Sequence, residues 1–246
     1  MLSKKSSHSY RHELKFIVDK KTIFLLEQKL KNILTYDQFC QPRSYRVTSL
    51  YFDDYRLSAF YDKINGLADR TKYRLRTYNL NPHTFNFEAK IKKNDLVRKE
   101  SFPCTPSQYQ QILCGQFSFA PQLLGQYLPL VQKLKFLQPK IVVDYDRTAF
   151  VYPAGNVRLT LDQSLQASTS SWDFLHDQQQ LYQRVCPHDE TIFEIKFDQY
   201  LPQLIRQLLA EFPLFPLASS KYVLSQQLLR NRYQSLHNNF LESSHA

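Results

Sequence analysis

Charged residues recur at every second position in several strand-like segments of this chain, and the positions between them are mostly apolar or aromatic. The clearest run is Lys72, Arg74 and Arg76, separated by Tyr73 and Leu75. The same period of two appears at Arg11, Glu13, Lys15, at Glu88, Lys90, Lys92, at Arg158, Thr160, Asp162, and at Glu194, Lys196, Asp198. Alternate side chains of a strand point to opposite faces of its sheet, so each set shares one face. One sheet surface is therefore apolar and the other largely cationic. A half-exposed antiparallel sheet with its charged face in water has the same pattern. Two features argue against that simpler reading.

The first is the sign of the charge. Lys and Arg number 32 against 22 Asp and Glu, giving a formal net charge of +10 and a sequence pI near 9.3. Like charges directly opposite on neighbouring strands cost a few tenths to about 1 kcal/mol, so stacked cations call for an anionic partner, and phosphate is the obvious one. The second is the scarcity of glycine. Only Gly66, Gly115, Gly125 and Gly155 occur, and no GxGxxG or GxxxxGK[ST] segment exists. That excludes a glycine-rich phosphate cradle and makes a Rossmann domain, a P-loop enzyme or a protein-kinase fold a poor fit. Bound phosphate would have to be held by Lys and Arg side chains.

At 246 residues with 43% hydrophobic content, the chain can build a sizeable core. No apolar run approaches 18 residues, and Met1 to Ser9 is a short polar, basic tail, so the expectation is a soluble, cytoplasmic protein with no membrane segment. Cys40, Cys104, Cys114 and Cys186 form no CxxC pair and are expected to be reduced, structural thiols. His12, His83, His176 and His188 have no ligand spacing and are assigned to surface or packing positions.

Alternation predicts strands at Tyr10 to Val18, Tyr45 to Phe52, Arg70 to Tyr78, Thr84 to Lys92, around Asp95 to Phe102, Pro139 to Asp146, Ala149 to Pro153, Asn156 to Asp162 and Thr191 to Phe197. Helices are expected near Lys20 to Leu34 behind an Asp19 cap, after Pro106 through Ile112, and at Leu204 to Phe212. Ser168 to Glu190 is expected to be an exposed hairpin or loop, and residues 1–9 and 236–246 flexible tails around one domain at 10–235. So many strands at short spacing imply an α+β fold: a closed antiparallel barrel with helices packed outside. Helices covering the outer wall would leave the apolar residues outside and the charged ones in the lumen. Such a wet, cationic tunnel would accept a polyanion. The 16 Tyr and 18 Phe are assigned to packing, on the face opposite the cations, which argues against a nucleic-acid partner.

The order of segments resembles the polyphosphate polymerase (VTC) domain, a branch of the CYTH-like triphosphate tunnel metalloenzymes. The blocks are Arg11-His12-Glu13-Leu14-Lys15-Phe16, Ser49 to Asp53, Arg70 to Tyr78, Phe87-Glu88-Ala89-Lys90, Tyr145 to Phe150, Val157 to Asp162, Phe193-Glu194-Ile195-Lys196-Phe197 and Ser220-Lys221-Tyr222. The resemblance implies an eight-stranded tunnel that binds ATP or another nucleoside triphosphate and inorganic polyphosphate. It further implies a metal-dependent phosphotransferase of the polyphosphate kinase type, which moves the γ-phosphate onto a growing chain. By residue-for-residue match it implies phosphate-binding cations at Lys15, Arg74, Arg76, Lys90, Arg147, Lys196 and Lys221, with Mn²⁺ or Mg²⁺ at Glu194. Lys72, Arg158 and, in preference to Arg98, Lys99 are added as further phosphate ligands, and Lys15, Arg74, Arg76, Lys90, Arg147 and Lys221 as the catalytic set. Hydrolytic relatives begin with an ExExK strand, and Arg11 stands at the first of those glutamates, which favours a polymerase over a two-metal hydrolase. A triphosphate hydrolase on the same fold, or a non-catalytic polyphosphate or nucleic-acid binding module, are the rival readings. Simple alternation puts Arg147 in phase with Ile141, Val143 and Tyr145, so a bulge or strand end near Asp146 is expected to turn it inward.

Overall fold

The computed structural model describes residues 9–40, 43–117, 136–175, 180–187, 190–216 and 220–243. Along the chain these form β1 (Arg11–Asp19), α1 (Lys20–Ile33), β2 (Thr35–Tyr36), β3 (Tyr45–Asp53), α2 (Ser58–Ile64), β4 (Arg70–Tyr78), β5 (Phe85–Lys93) and β6 (Leu96–Cys104). They continue with α3 (Pro106–Leu113), β7 (Gln138–Tyr152), β8 (Val157–Ser168), β9 (Gln183–Arg184), β10 (Glu190–Phe197), α4 (Gln203–Ala210) and α5 (Lys221–Ser243). Eight strands pair antiparallel in the cyclic order β7-β3-β4-β5-β6-β1-β10-β8, and the β7–β8 pairing closes the ring. β2 and β9 are short additions on β7 and β8. The result is the closed barrel with external helices that the alternation implies.

Local chemistry sets the element ends. The Asp19 carboxylate accepts from the Lys21 and Thr22 amides at 2.9 Å and starts α1. Thr105 and Gln108 form a reciprocal capping box ahead of α3, with Pro106 in its first turn. The β5–β6 hairpin turns through Asn94, whose φ of 51° suits asparagine. Gly155, at φ 69° between β7 and β8, sits where a Cβ would lie 2.7 Å from the Tyr200 carbonyl oxygen, so glycine is required there.

Two apolar layers cover the outer wall. Leu159, Leu161, Phe193 and Ile195 pack under Ile23, Leu26 and Leu30 of α1 and Ile205 and Leu208 of α4. Leu75, Phe85, Phe87 and Ala89 pack with Tyr109 and Ile112 of α3. Each fully buried side chain of this kind contributes roughly 1.5–3 kcal/mol. A third cluster lies inside the barrel. Val47, Ile141, Val143, Leu165, Ala167 and Ile192 point into the lumen and meet Tyr222, Val223 and Leu229 of α5 and Phe60 of α2. The lumen is therefore partly filled with an apolar plug, which the sequence reading had assigned entirely to charge.

Other expectations are corrected. The two strands expected at Pro139 to Asp146 and Ala149 to Pro153 are one 15-residue strand, β7. α2 and α5 were not expected, and α5 carries helix through Ser243, into the segment from Leu236 assigned to a tail. The Ser168 to Glu190 stretch is not simply exposed, since Phe174 is fully buried against the α3 layer; residues 176–179 and 188–189, with His176 and His188, lie outside the described residues. All four cysteines are free, and Cys114 alone is exposed. Among the described residues no helix is long and apolar enough to cross a membrane.

Candidate functional site

The inward positions of β4 are Arg70, Lys72, Arg74, Arg76 and Tyr78, and they lay out the axis of the lumen. Two adjoining cavities of about 270 and 280 Å³ share Glu13, Arg74, Arg76, Lys90, Val97, Arg147 and Lys196 in their walls. The first extends past Lys72 and Arg70 to Lys63, Lys92, Asp95 and Ser220, and also takes in Lys15, Glu194 and Lys221. The second extends past Tyr78 to Ser9, Arg11, His12, Tyr45, Lys99 and Arg158. The shared residues form a waist between two rims of one tunnel.

Every cation expected from the sequence faces this tunnel: Lys15, Lys72, Arg74, Arg76, Lys90, Arg147, Lys196 and Lys221 line the first cavity, and Lys99 and Arg158 the second. Arg98 instead pairs with Glu100 at 2.8 Å and lies over the Tyr10 ring. Arg147 is inward for a reason other than the one expected. It keeps the phase of Ile141, Val143 and Tyr145, because that phase is the lumen. The register shift opposite Tyr145 places the extra residue in β8, near Ser164 at φ 55°, rather than in β7.

Buried carboxylates stand behind several of these cations. Asp162, on the inward face of β8, accepts both arms of the Arg147 guanidinium at 2.6 and 2.7 Å and takes Lys221 Nζ at 2.6 Å. Glu88, on β5, accepts from Arg74 at 2.7 Å and Lys99 at 2.8 Å. Burial alone would raise the Glu88 pKa, but Arg74, Arg76 and Lys99 hold it far below the carboxylate range. Burial is likewise outweighed at Arg147 by Asp162 and at Lys221 by Asp162 and Glu194, so both are held firmly protonated. Glu194 receives Lys221 at 2.6 Å and Lys196 at 3.3 Å, and Glu13 receives Lys15 at 2.8 Å and Lys90 at 2.7 Å.

Other lysines are compensated less fully, or not at all. Lys72 is pushed well below the ordinary lysine value by burial and by Lys15, Lys90, Arg70 and Lys63 around it, and it donates to Ser220 Oγ at 2.6 Å. Burial and the neighbouring Arg70 and Lys92 lower Lys63 to about 8. Lys90 falls to about 7, chiefly through burial, although Glu13 opposes the shift.

Sequence reasoning missed the aromatic part of the wall. Tyr45, Tyr51, Tyr78, Tyr145 and Tyr222 line the tunnel, so the aromatics are not confined to the outer face. Their hydroxyls hold the cations: Tyr51 accepts from Arg74, Tyr145 from Arg76 and Tyr45 from Arg158, at 3.1, 3.1 and 2.9 Å. Tyr45, Tyr51 and Tyr145 sit at alternating strand positions, a signal visible in the sequence once β3 and β7 are given the right phase. Lys63 lies on the unexpected α2 and had no such signal. His12 lies at the second rim and stacks on Phe197 at 5.0 Å.

No three His, Cys, Asp or Glu side chains cluster to hold a metal by themselves among the described residues. Glu194 and Glu13 nevertheless both face the first cavity. A hard divalent ion in a phosphate site needs only one or two carboxylates, since phosphate and water complete its shell, so this donor set fits Mg²⁺ or Mn²⁺.

The comparisons with known proteins agree with this geometry. Among solved structures, the chain resembles a putative adenylyl cyclase from Hippeastrum, described as having a dominant triphosphatase activity, with a TM-score of 0.53 and 12% identity over 88% of this chain and 95% of that one. It also resembles a putative adenylate cyclase from Bacillus halodurans, with a TM-score of 0.53 and 12% identity over 86% of this chain and 94% of that one. At such identity the likeness establishes the fold. No curated protein matches the sequence. The VTC domain profile matches residues 10–230. With that match across nearly the whole chain and a tunnel-type barrel beneath it, the protein belongs to the VTC domain family.

Proposed function

We propose that this protein is a metal-assisted phosphotransferase, which passes the γ-phosphate of ATP or another nucleoside triphosphate to a growing inorganic polyphosphate inside the tunnel. The observation that carries this reading is the waist itself: cations from β4, β5, β7 and β10 converge on the lumen, and buried Glu88 and Asp162 lock Arg74 and Arg147 among them. Phosphoryl transfer has a loose transition state with charge spread over the equatorial oxygens, so catalysis rests on alignment and charge stabilisation. Arg74, Arg76 and Arg147 would grip phosphate oxygens, with Lys15, Lys90, Lys196 and Lys221 completing the ring. Glu88 and Asp162 fix Arg74 and Arg147 before substrate arrives, so less reorganisation is left for the transition state. Glu194 would hold the divalent ion, which supplies further neutralisation of the phosphate charge.

Hydrolysis of triphosphate is the second reading, favoured by the activity described for the Hippeastrum protein. The test is incubation with ATP and Mn²⁺, with and without a short polyphosphate primer, and separation of the products by length. Long chains plus ADP, lost in Glu194→Ala, support transfer; orthophosphate without chains moves the protein to the hydrolases.

A further inference from the structure

Ser220 has no part in the phosphotransfer described so far, yet its side chain stands where such chemistry could use it. Its Oγ lies 2.6 Å from Lys72 Nζ. Both residues line the first cavity, together with Arg74, Arg76, Glu194 and Lys221. Lys72 comes from the inward face of β4 and Ser220 immediately precedes α5, so two elements remote in the chain meet at this contact. A serine hydroxyl against an amine is the arrangement of an activated nucleophile, in which the amine takes the hydroxyl proton.

The surroundings favour that transfer. Burial and the cations Lys15, Lys90, Arg70 and Lys63 press Lys72 towards the neutral amine, the form that accepts a proton. A phosphate entering among these cations favours the protonated form again, and the Ser220 hydroxyl is in contact to supply the proton. Ser220 also caps α5: its Oγ accepts from the Val223 amide at 3.4 Å and its carbonyl oxygen from the Leu224 amide at 2.9 Å. The dipoles at that helix end favour negative charge on the serine oxygen, first as an alkoxide and then as a phosphate ester. Lys221, the next residue, is held by Asp162 and Glu194 at 2.6 Å each, which anchors the backbone beside Ser220 to the waist. A helix cap needs no lysine, so capping alone does not account for the contact.

We propose that Ser220, with Lys72 as its base, accepts the γ-phosphoryl group of a nucleoside triphosphate when no polyphosphate chain is present. The Ser220 Oγ–P bond forms, and the bond between the γ-phosphorus and the β,γ-bridging oxygen breaks. The hydroxyl proton passes to Lys72 Nζ, and the nucleoside diphosphate leaves with the electron pair of the broken bond. The product is a phosphoserine at the start of α5, whose phosphate is the acceptor for the next transfer. This assignment rests on the phosphotransferase reading and supplies its first acceptor. Chains begun without a primer are therefore attached to the protein.

The test incubates the protein with ATP labelled at the γ-phosphate and Mn²⁺, without primer, and locates the label on the denatured chain by peptide mass spectrometry. The expected result is phosphate on Ser220, stable to acid and labile to alkali, as a phosphoserine is and a phospholysine is not. Ser220→Asn keeps a helix-capping side chain and removes the nucleophile, so it should unfold near the wild-type temperature and take no label. Lys72→Arg keeps the positive charge but cannot act as a base, and should slow labelling about a hundredfold or more. Labelling of Lys72→Arg at the wild-type rate overturns the role of Lys72. A wild type that extends a short polyphosphate primer but carries no phosphate on Ser220 overturns the inference and leaves phosphotransfer standing. A wild type that neither takes label nor makes chains, with or without primer, contradicts the phosphotransferase reading itself.

Discussion

Arg147 and Lys72 both point into the same tunnel, yet their surroundings are opposite. Arg147 is clamped by Asp162, on the inward face of the neighbouring strand, and holds its proton under all ordinary conditions. Lys72 has a serine hydroxyl and, at 5.7 Å, the Tyr222 ring, but no carboxylate within 4 Å among the described residues, and Lys15, Lys90, Arg70 and Lys63 stand around it. The first arrangement is complete without a ligand. The second is not, since burial of an uncompensated cation costs free energy that only an incoming anion offsets. The tunnel thus joins a preorganised waist to a rim that is under electrostatic stress until phosphate arrives.

The largest effect expected from this contrast lies at the waist. Asp162→Asn leaves Arg147 and Lys221 buried beside each other without their shared partner, and should lower folding stability by about 3–5 kcal/mol, measured by denaturant unfolding. Arg74→Ala removes one of the converging guanidinium groups and leaves buried Glu88 to Lys99 and Arg76, so turnover should fall about a hundredfold or more and stability should fall as well, as product formation and thermal unfolding would show.

The rim should respond to pH. Lys63 has a folded pKa of about 8, below its unfolded value, so between about 8 and the ordinary lysine range the unfolded chain binds more protons than the folded one. Its contribution to stability therefore increases as pH rises through that window. Anion binding runs the other way. A bound phosphate restores the charge and takes up a proton, so affinity for long polyphosphate should fall as pH rises from 7 to 9, as titration at fixed salt would show. The smallest effect is expected far from the tunnel. Lys29 and Glu211 form an exposed pair on the helical outer layer, and Lys29→Ala should change stability by about 0.5 kcal/mol or less in the same unfolding assay.

The sequence made the charged arc of the barrel legible because β4, β5 and β10 keep strict alternation, so every second residue shares a fate. The helical caps at Asp19 and Thr105 follow from local chemistry in the same way. The apolar arc was harder. β3 and β7 are hydrophobic on both faces, covered outside by α3 and inside by α5, so alternation gives no phase. That is why alternation sets Arg147 in an apolar phase, and why the general expectation of aromatics opposite the cations fails for Tyr51 and Tyr145. Asp162 and Glu88 were visible as members of inward-facing rows. Their task of clamping Arg147 and Arg74 depends on pairing between strands, which a single sequence does not display.

The most direct test of the contrast is thermal unfolding of the wild type and Lys72→Met, each with and without long-chain polyphosphate. The account predicts that Lys72→Met alone is more stable than the wild type, by about 1 kcal/mol, because an uncompensated cation is gone. It also predicts that polyphosphate raises the Tm of the variant less than that of the wild type. A variant that is less stable alone, and gains as much from polyphosphate as the wild type, would contradict it.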